Sequence, residues 1–206
     1  MTRQSRLAWM MAGCLAMPAA WSAEWQVRVL AADGAPLPDA VVWITPGDLS
    51  QPPHPAVMDQ INKTFVPYIL PVQTGTTVDF PNSDSINHHV YSFSPPKRFE
   101  LKLTPGGRTV HTVLFDKPGL VTLGCNIHDW MLAYIYVVDT PWFGQTGPDG
   151  IARITAPEGP GRQAHVWHPA ITDDPAALVQ PLASGIVSFR LSRPLRPDLR
   201  RAPHGY

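Results

Sequence analysis

Residues 125–131 read Cys-Asn-Ile-His-Asp-Trp-Met. A thiol, an imidazole and a thioether stand there at even two-residue gaps. Thiolate, imidazole and thioether are soft and borderline donors, and together they suit copper, which cycles between Cu(I) and Cu(II). A structural zinc site would want more thiolates or histidines and no thioether. Cys125 and His128 could instead be a nucleophile and its base, but no orienting Asn or Asp is evident beside them.

The preceding run, Gly119-Leu-Val-Thr-Leu-Gly-Cys125, alternates so that Val121, Leu123 and Cys125 share one apolar face. The sulfur therefore points inward, and His128 and Met131 follow on a short loop before the next strand. A trigonal copper site needs a second imidazole from elsewhere. The stretch Thr-Val-Asp-Phe-Pro-Asn-Ser-Asp-Ser-Ile-Asn-His-His-Val-Tyr-Ser-Phe over 77–93 offers His88 and His89. Adjacent strand residues face opposite ways, so only one of the pair can reach the metal, and periodicity alone does not choose.

Cysteine usage sharpens the case for Cys125. The chain has two cysteines, and the other, Cys14, falls in what reads as an export signal over 1–23. Two arginines without an acid open that segment, an apolar run follows, and small residues suit cleavage near Ser22 or Ala23. Met11-Ala-Gly-Cys14 faintly resembles a lipid-attachment site, but the usual leucine is missing and the apolar run before it is short. The expected location is periplasmic. The exported chain then holds one thiol in an oxidising compartment, a liability unless buried or bound. Loss of Arg3 and Arg6 leaves 14 basic against 16 acidic side chains, a net charge of −2. Nothing points to a nucleic-acid partner or to a later membrane span. The basic, proline-rich tail over 193–206 reads as a solvated terminus.

With 206 residues and 24 prolines spread along the chain, short strands and turns are expected in place of helices. Strands are expected at 25–31, 40–45, 76–80, 88–94, 109–115, 120–125, 132–138, 151–156, 164–168 and 186–192, with one short helical turn over 172–180. This pattern points to an all-β chain, a sandwich or barrel. The middle, 52–141, is large enough for its own core. The flanks, 24–50 and 142–192, are each too small to bury one alone; they either pair with each other as a second small sandwich with the middle inserted, or add strands to both ends of one extended sandwich.

The middle resembles a cupredoxin, the small blue copper protein family. The resemblance rests on Val78, Phe80, Asn82 and Asp84 leading to His88 and Val90, then on Phe115, Pro118, Gly119, Cys125, His128 and Met131. It spans about ninety residues, and the loop spacing most resembles amicyanin. It implies a Greek-key β-sandwich that binds one type 1 copper through His88, Cys125 and His128, with Met131 as a weak axial ligand. It implies Asn82 and His89 as outer-shell residues, the His89 main-chain N–H pointing at the sulfur. A longer pattern adds His-His-Val-Tyr-Ser-Phe-Ser, Val-Val-Asp-Thr-Pro-Trp-Phe and Val166-Trp-His-Pro169. It resembles exported plastocyanin-like proteins labelled methylamine utilization proteins, which implies transthyretin-like or carboxypeptidase-regulatory-like strands from both flanks.

The function so implied is one-electron transfer between redox protein partners, not enzymatic turnover. The alternatives are copper handling without redox change, or a partner-binding β-sandwich that carries a copper domain. Trp130 and Trp142 are candidates for an apolar docking patch near His128. His111 reads as a core or edge histidine, and Trp167-His168-Pro169 as a packing motif.

Overall fold

The computed structural model describes residues 22–107, 110–171, 178–182, 185–192 and 194–195. The expected export signal, Cys14 and the basic tail lie almost wholly outside them. Among the described residues, seventeen strands follow in chain order. They are β1 (Ser22–Leu30), β2 (Val41–Thr45), β3 (Ala56–Val57), β4 (Asp59–Ile61), β5 (Thr64–Val66), β6 (Ile69–Gln73), β7 (Thr76–Phe80), β8 (His88–Ser92) and β9 (Phe99–Leu103). After a short 3-10 turn come β10 (His111–Phe115), β11 (Gly119–Cys125), β12 (Leu132–Val138), β13 (Phe143–Gln145), β14 (Ile151–Pro157), β15 (Gln163–Trp167), β16 (Leu178–Pro181) and β17 (Ile186–Arg190).

All-β architecture is observed as expected. The helical turn expected after Asp173 or Asp174 falls on 172–177, outside the described residues; Leu178, Val179 and Gln180, at the end of that segment, lie in β16, paired antiparallel with Val166, His165 and Ala164. Among the described residues no helix is long and apolar enough to cross a membrane.

The strands form four principal sheets stacked face to face. Strands from the two ends of the chain pair with each other: β14-β1-β17 make one sheet and β13-β2-β15-β16 the next. Val27, Val29, Ile154 and Phe189 pack against Val42, Ile44 and Val166 to fill the space between them. Strands from the middle make a five-stranded sheet, β6-β12-β11-β8-β9, and a three-stranded sheet, β10-β7-β3. Val78, Phe80, Val113 and Phe115 of the smaller sheet close over Val90, Val121, Leu123, Cys125 and Ile135 of the larger. A small hairpin, β4-β5, caps one end.

A third apolar layer joins the two sandwiches. Val41, Trp43 and Trp167 meet Ile69, Tyr136 and Val138. Trp43 lies 4.8 Å from Tyr136, Tyr136 lies 5.0 Å from Trp167, and Trp167 lies 5.4 Å from Tyr134, all in the tilted or edge-on arrangements that aromatic rings favour. Trp167 is thus a packing residue, and His168 caps its own turn by accepting the Ala170 N–H at 3.1 Å. Sheets covered on both faces need strands apolar on both faces. That accounts for the unbroken runs Val-Val-Trp-Ile in β2 and Ile-Tyr-Val-Val in β12, buried throughout.

His165 stacks on Trp43 with 11° between the rings and meets Thr45 Oγ1 at 2.7 Å. Burial pushes its pKa below the ordinary histidine value, the Asp139 charge only partly opposing this. The unfolded chain therefore binds the proton more tightly. Stability from this site is complete above about pH 6.5 and declines as pH falls below it. The thermal midpoint of the metal-free protein should fall over that range, and His165→Phe should flatten the fall. Separately, Trp167→Ala should cost about 3–5 kcal/mol in urea unfolding, because no neighbour can fill the space between two sheets.

Candidate metal centre

Cys125 closes β11 and is buried, with its Cα opposite Val90 of β8. In β8 the buried face carries His88, Val90 and Ser92, while His89 and Tyr91 face the other way. The alternation that left two candidates open is thus resolved by the register. His88 points at the sulfur, with Nδ1 3.8 Å from Sγ. His128, on the loop after β11, places its Nδ1 4.0 Å from the same sulfur. The three donor atoms lie within 4.8 Å of one another.

These distances fit one ion. With bonds of about 2.0–2.1 Å to nitrogen and about 2.3 Å to sulfur, donors around a trigonal centre stand roughly 3.8 Å apart, N to S. The donor chemistry, two imidazoles and a thiol in an apolar core, is that of a soft or borderline metal. Met131 is buried in the same core as Cys125, and its N–H donates to the His128 carbonyl at 3.0 Å, tightening the loop.

His88 is oriented from behind. Its Nε2 lies 2.8 Å from Asp84 Oδ2. A carboxylate only accepts, so Nε2 carries the proton and Nδ1 is left with its lone pair toward the cluster. Asp84 also accepts the Asn62 N–H at 2.6 Å and the Lys63 N–H at 2.9 Å. Desolvation, the largest influence on this carboxyl, raises its pKa. The Lys63 N–H, the His88 ring and the Asn62 N–H together outweigh it, so the pKa lies below the usual value. Desolvation likewise lowers the pKa of His128, helped by the charges of His88 and Lys63 and opposed by Asp84, which favours the neutral imidazole that a metal requires.

Asn82 braces the loop that carries these groups. Buried at 1 % exposure, its amide donates to the carbonyls of Ile86 and Thr104 at 2.8 and 3.0 Å, while its Oδ1 accepts the Asp84 N–H at 3.1 Å. It touches the cluster only through Asp84 and His88. His89 is held away from the centre by an ion-pair contact with Glu100 and by Asn126 at 3.3 Å. Its carbonyl accepts the Asn126 N–H at 3.0 Å. A strand residue directs its N–H and C=O to the same side, so the His89 main chain faces β11, the strand of Cys125.

The two tryptophans part company. Trp130 is 37 % exposed and its ring centroid lies 5.3 Å from that of His128. Trp142 is buried in the other sandwich, under the Arg162 guanidinium at 4.3 Å. The strand leaving the ligand loop runs the length of the five-stranded sheet before reaching it, so Trp142 lines no patch at the metal end. His111 sits in β10 opposite Phe80, apart from the cluster.

Asp84 was visible in the sequence as part of a pattern, but nothing there assigned it the His88 ring. The signal was a carboxylate four residues ahead of a candidate histidine in a turn-rich loop. Tyr91 was also missed. Its phenol lies against Gly124, where a Cβ would come within 2.6 Å of it, so a larger residue before Cys125 would have to push the Tyr91 ring aside.

No protein-family model matches the chain, and no curated protein does. Solved structures resemble parts of it. A purple cupredoxin from Nitrosopumilus maritimus is 23 % identical over 40 % of this chain and 99 % of its own, with a TM-score of 0.36. A Cu-containing nitrite reductase from Thermus scotoductus is 24 % identical over 54 % of this chain, with a TM-score of 0.39, and this chain spans only 28 % of it. An amicyanin variant in the Cu(I) state is 19 % identical over 47 % of this chain and 98 % of its own, with a TM-score of 0.36.

Asn82→Ala should lower the stability of the metal-free protein by about 2–3 kcal/mol in urea unfolding, since two carbonyls lose their donor in a buried loop.

Proposed function

We propose that the middle sandwich is a cupredoxin that binds one type 1 copper and passes single electrons between protein partners, in a chain exported to the periplasm. The observation that carries this reading is the cluster itself: a buried thiol with an imidazole nitrogen on either side at 3.8 and 4.0 Å. A finer assignment, to exported plastocyanin-like proteins labelled for methylamine utilization, rests on the sequence patterns around His88, Cys125 and Trp167.

In this reading Cys125, His88 and His128 would hold the metal, with the Met131 thioether as a further weak donor. Bound copper contributes reversible one-electron chemistry between Cu(I) and Cu(II). The protein contributes a fixed geometry. Cys125 and His88 stand on paired strands, and Asn82 and Asp84 lock the His88 ring. The apolar core around Cys125 excludes water. His128 is the ligand at the surface: its ring is partly exposed between Trp130 and the ligand loop, which makes it the natural edge for electron entry and exit. The described residues around it form a rim in which Ile127 and Trp130 are exposed, suited to brief contact with a partner. The His89 N–H is assigned to the Cys125 sulfur, where a hydrogen bond would tune the potential.

One equivalent of Cu(II) added to the purified protein should give an intense visible thiolate-to-copper band that bleaches reversibly on reduction. Cys125→Ala and His88→Ala should lose the band, whereas His89→Ala should keep it. Met131→Leu should keep the colour and raise the reduction potential. A colourless protein, or copper that does not cycle, would rule out electron transfer.

A further inference from the structure

The supports of the two histidines meet on a single turn. Asn62 and Lys63 form the tip of the β4-β5 hairpin, both with positive φ (52° and 58°), the conformation of a tight two-residue hairpin turn. Their two N–H groups donate to the Asp84 carboxylate that holds His88. On the other side, the Lys63 carbonyl accepts the Trp130 indole N–H at 3.3 Å, and Trp130 stands beside His128. One residue of main chain thus links the loop behind the buried histidine to the loop bearing the exposed one.

The root of this hairpin is firmly seated. Met58 and Phe65 are buried in the core of the middle sandwich. Ser83, next to Asn82, donates its hydroxyl to Asp59 Oδ2 at 2.7 Å and its N–H to the Gln60 carbonyl at 3.1 Å. The tip is therefore presented by a rigid element. It contributes no ligand, yet it touches the support of each imidazole.

We propose that the Asn62-Lys63 turn is a clasp that positions both histidines and sets how slowly the metal leaves. This rests on the copper reading above. Release requires one imidazole to swing away from the ion. His88 is enclosed, so the mobile partner is His128 on its short loop, and that loop is tied to the hairpin through Trp130. The residues concerned act through the ligands and are positioning residues. A site so clasped suits retention of the metal through many redox cycles, and opening the clasp would turn it toward exchange.

The test uses the full exported chain loaded with one equivalent of copper, reduced, and mixed with excess Cu(I) chelator. Release is followed by the colour of the chelate. Trp130→Phe keeps an aromatic ring beside His128 but loses the indole N–H with the fused pyrrole ring, and should speed release roughly five- to tenfold, on the scale of one hydrogen bond. Asp84→Asn should weaken metal binding about 10- to 100-fold and raise the reduction potential, because His88 loses its carboxylate. In the metal-free Asp84→Asn protein the Asn62 and Lys63 amides should exchange with deuterium faster than in the wild type. Wild-type release rates in both Trp130→Phe and Asp84→Asn, with the coloured complex intact, would overturn the clasp and leave the copper reading standing. Failure of the wild type to form a coloured complex would count against the copper reading itself.

Discussion

Two imidazoles and a thiol have to be kept a bond length from one common point, inside an apolar core, without hydrogen-bonding to each other or to water in place of a metal. Each of these groups is polar, and burying it without a partner is costly. The structure meets the buried part of the requirement through a chain of fixed partners. His88 turns its far nitrogen to Asp84, Asp84 accepts two backbone N–H groups, and the Asn82 amide donates to the carbonyls of Ile86 and Thr104. What is left facing inward is the donor set alone.

That constraint shapes the sheet around it. Strands β8 and β11 pair only at Tyr91–Gly124 and Val90–Cys125. Beyond these, the Ser94 hydroxyl takes the place of a ladder bond by accepting the Thr122 N–H at 2.9 Å. The short ladder brings Cys125 and His88 together at one end while the strands diverge at the other. Gly124 lets Tyr91 lie over the junction on the outer side. The five-stranded sheet is then held flat against a second sandwich by the Trp43, Tyr136 and Trp167 layer, so the ligand-bearing strands are backed on both faces.

Much of this was legible in the amino-acid order. The strand ending at Cys125 and the one beginning at Leu132 follow from alternation and from the loop that separates them. The inward aim of the sulfur follows from Val121 and Leu123. Alternation alone left His88 and His89 both open, and only the resemblance pointed to His88, because which face of β8 meets the Cys125 side depends on its packing against β11 and not on the strand's own pattern. Strand β6 was hidden by Pro71, which an edge position tolerates. Hairpin β4-β5 was hidden because its turn is Asn-Lys, without the glycine that usually marks such a turn. Strand β9, Phe-Glu-Leu-Lys-Leu, alternates cleanly and could have been read. The outer support of the site was least visible, since Asp84, Lys63 and Trp130 are joined largely through main-chain atoms, which carry no residue identity.

The connectivity of the flanking sandwich has a consequence for the order of assembly. Strand β1 pairs with β14 and β17, so Gln26 meets Arg153 and Ile186. No flanking sheet can close until most of the chain is available. The middle can close first, because its strands are nearer to one another in sequence. Once it has, its entry and exit are already adjacent: the Ile44 N–H donates to the Trp142 carbonyl at 2.9 Å. A folded middle thus replaces a loop of nearly a hundred residues with a short, preset gap and removes most of the closure entropy that the flanking strands would otherwise oppose. An inserted sandwich that closes first would in this sense bring the two ends of the chain within reach of each other.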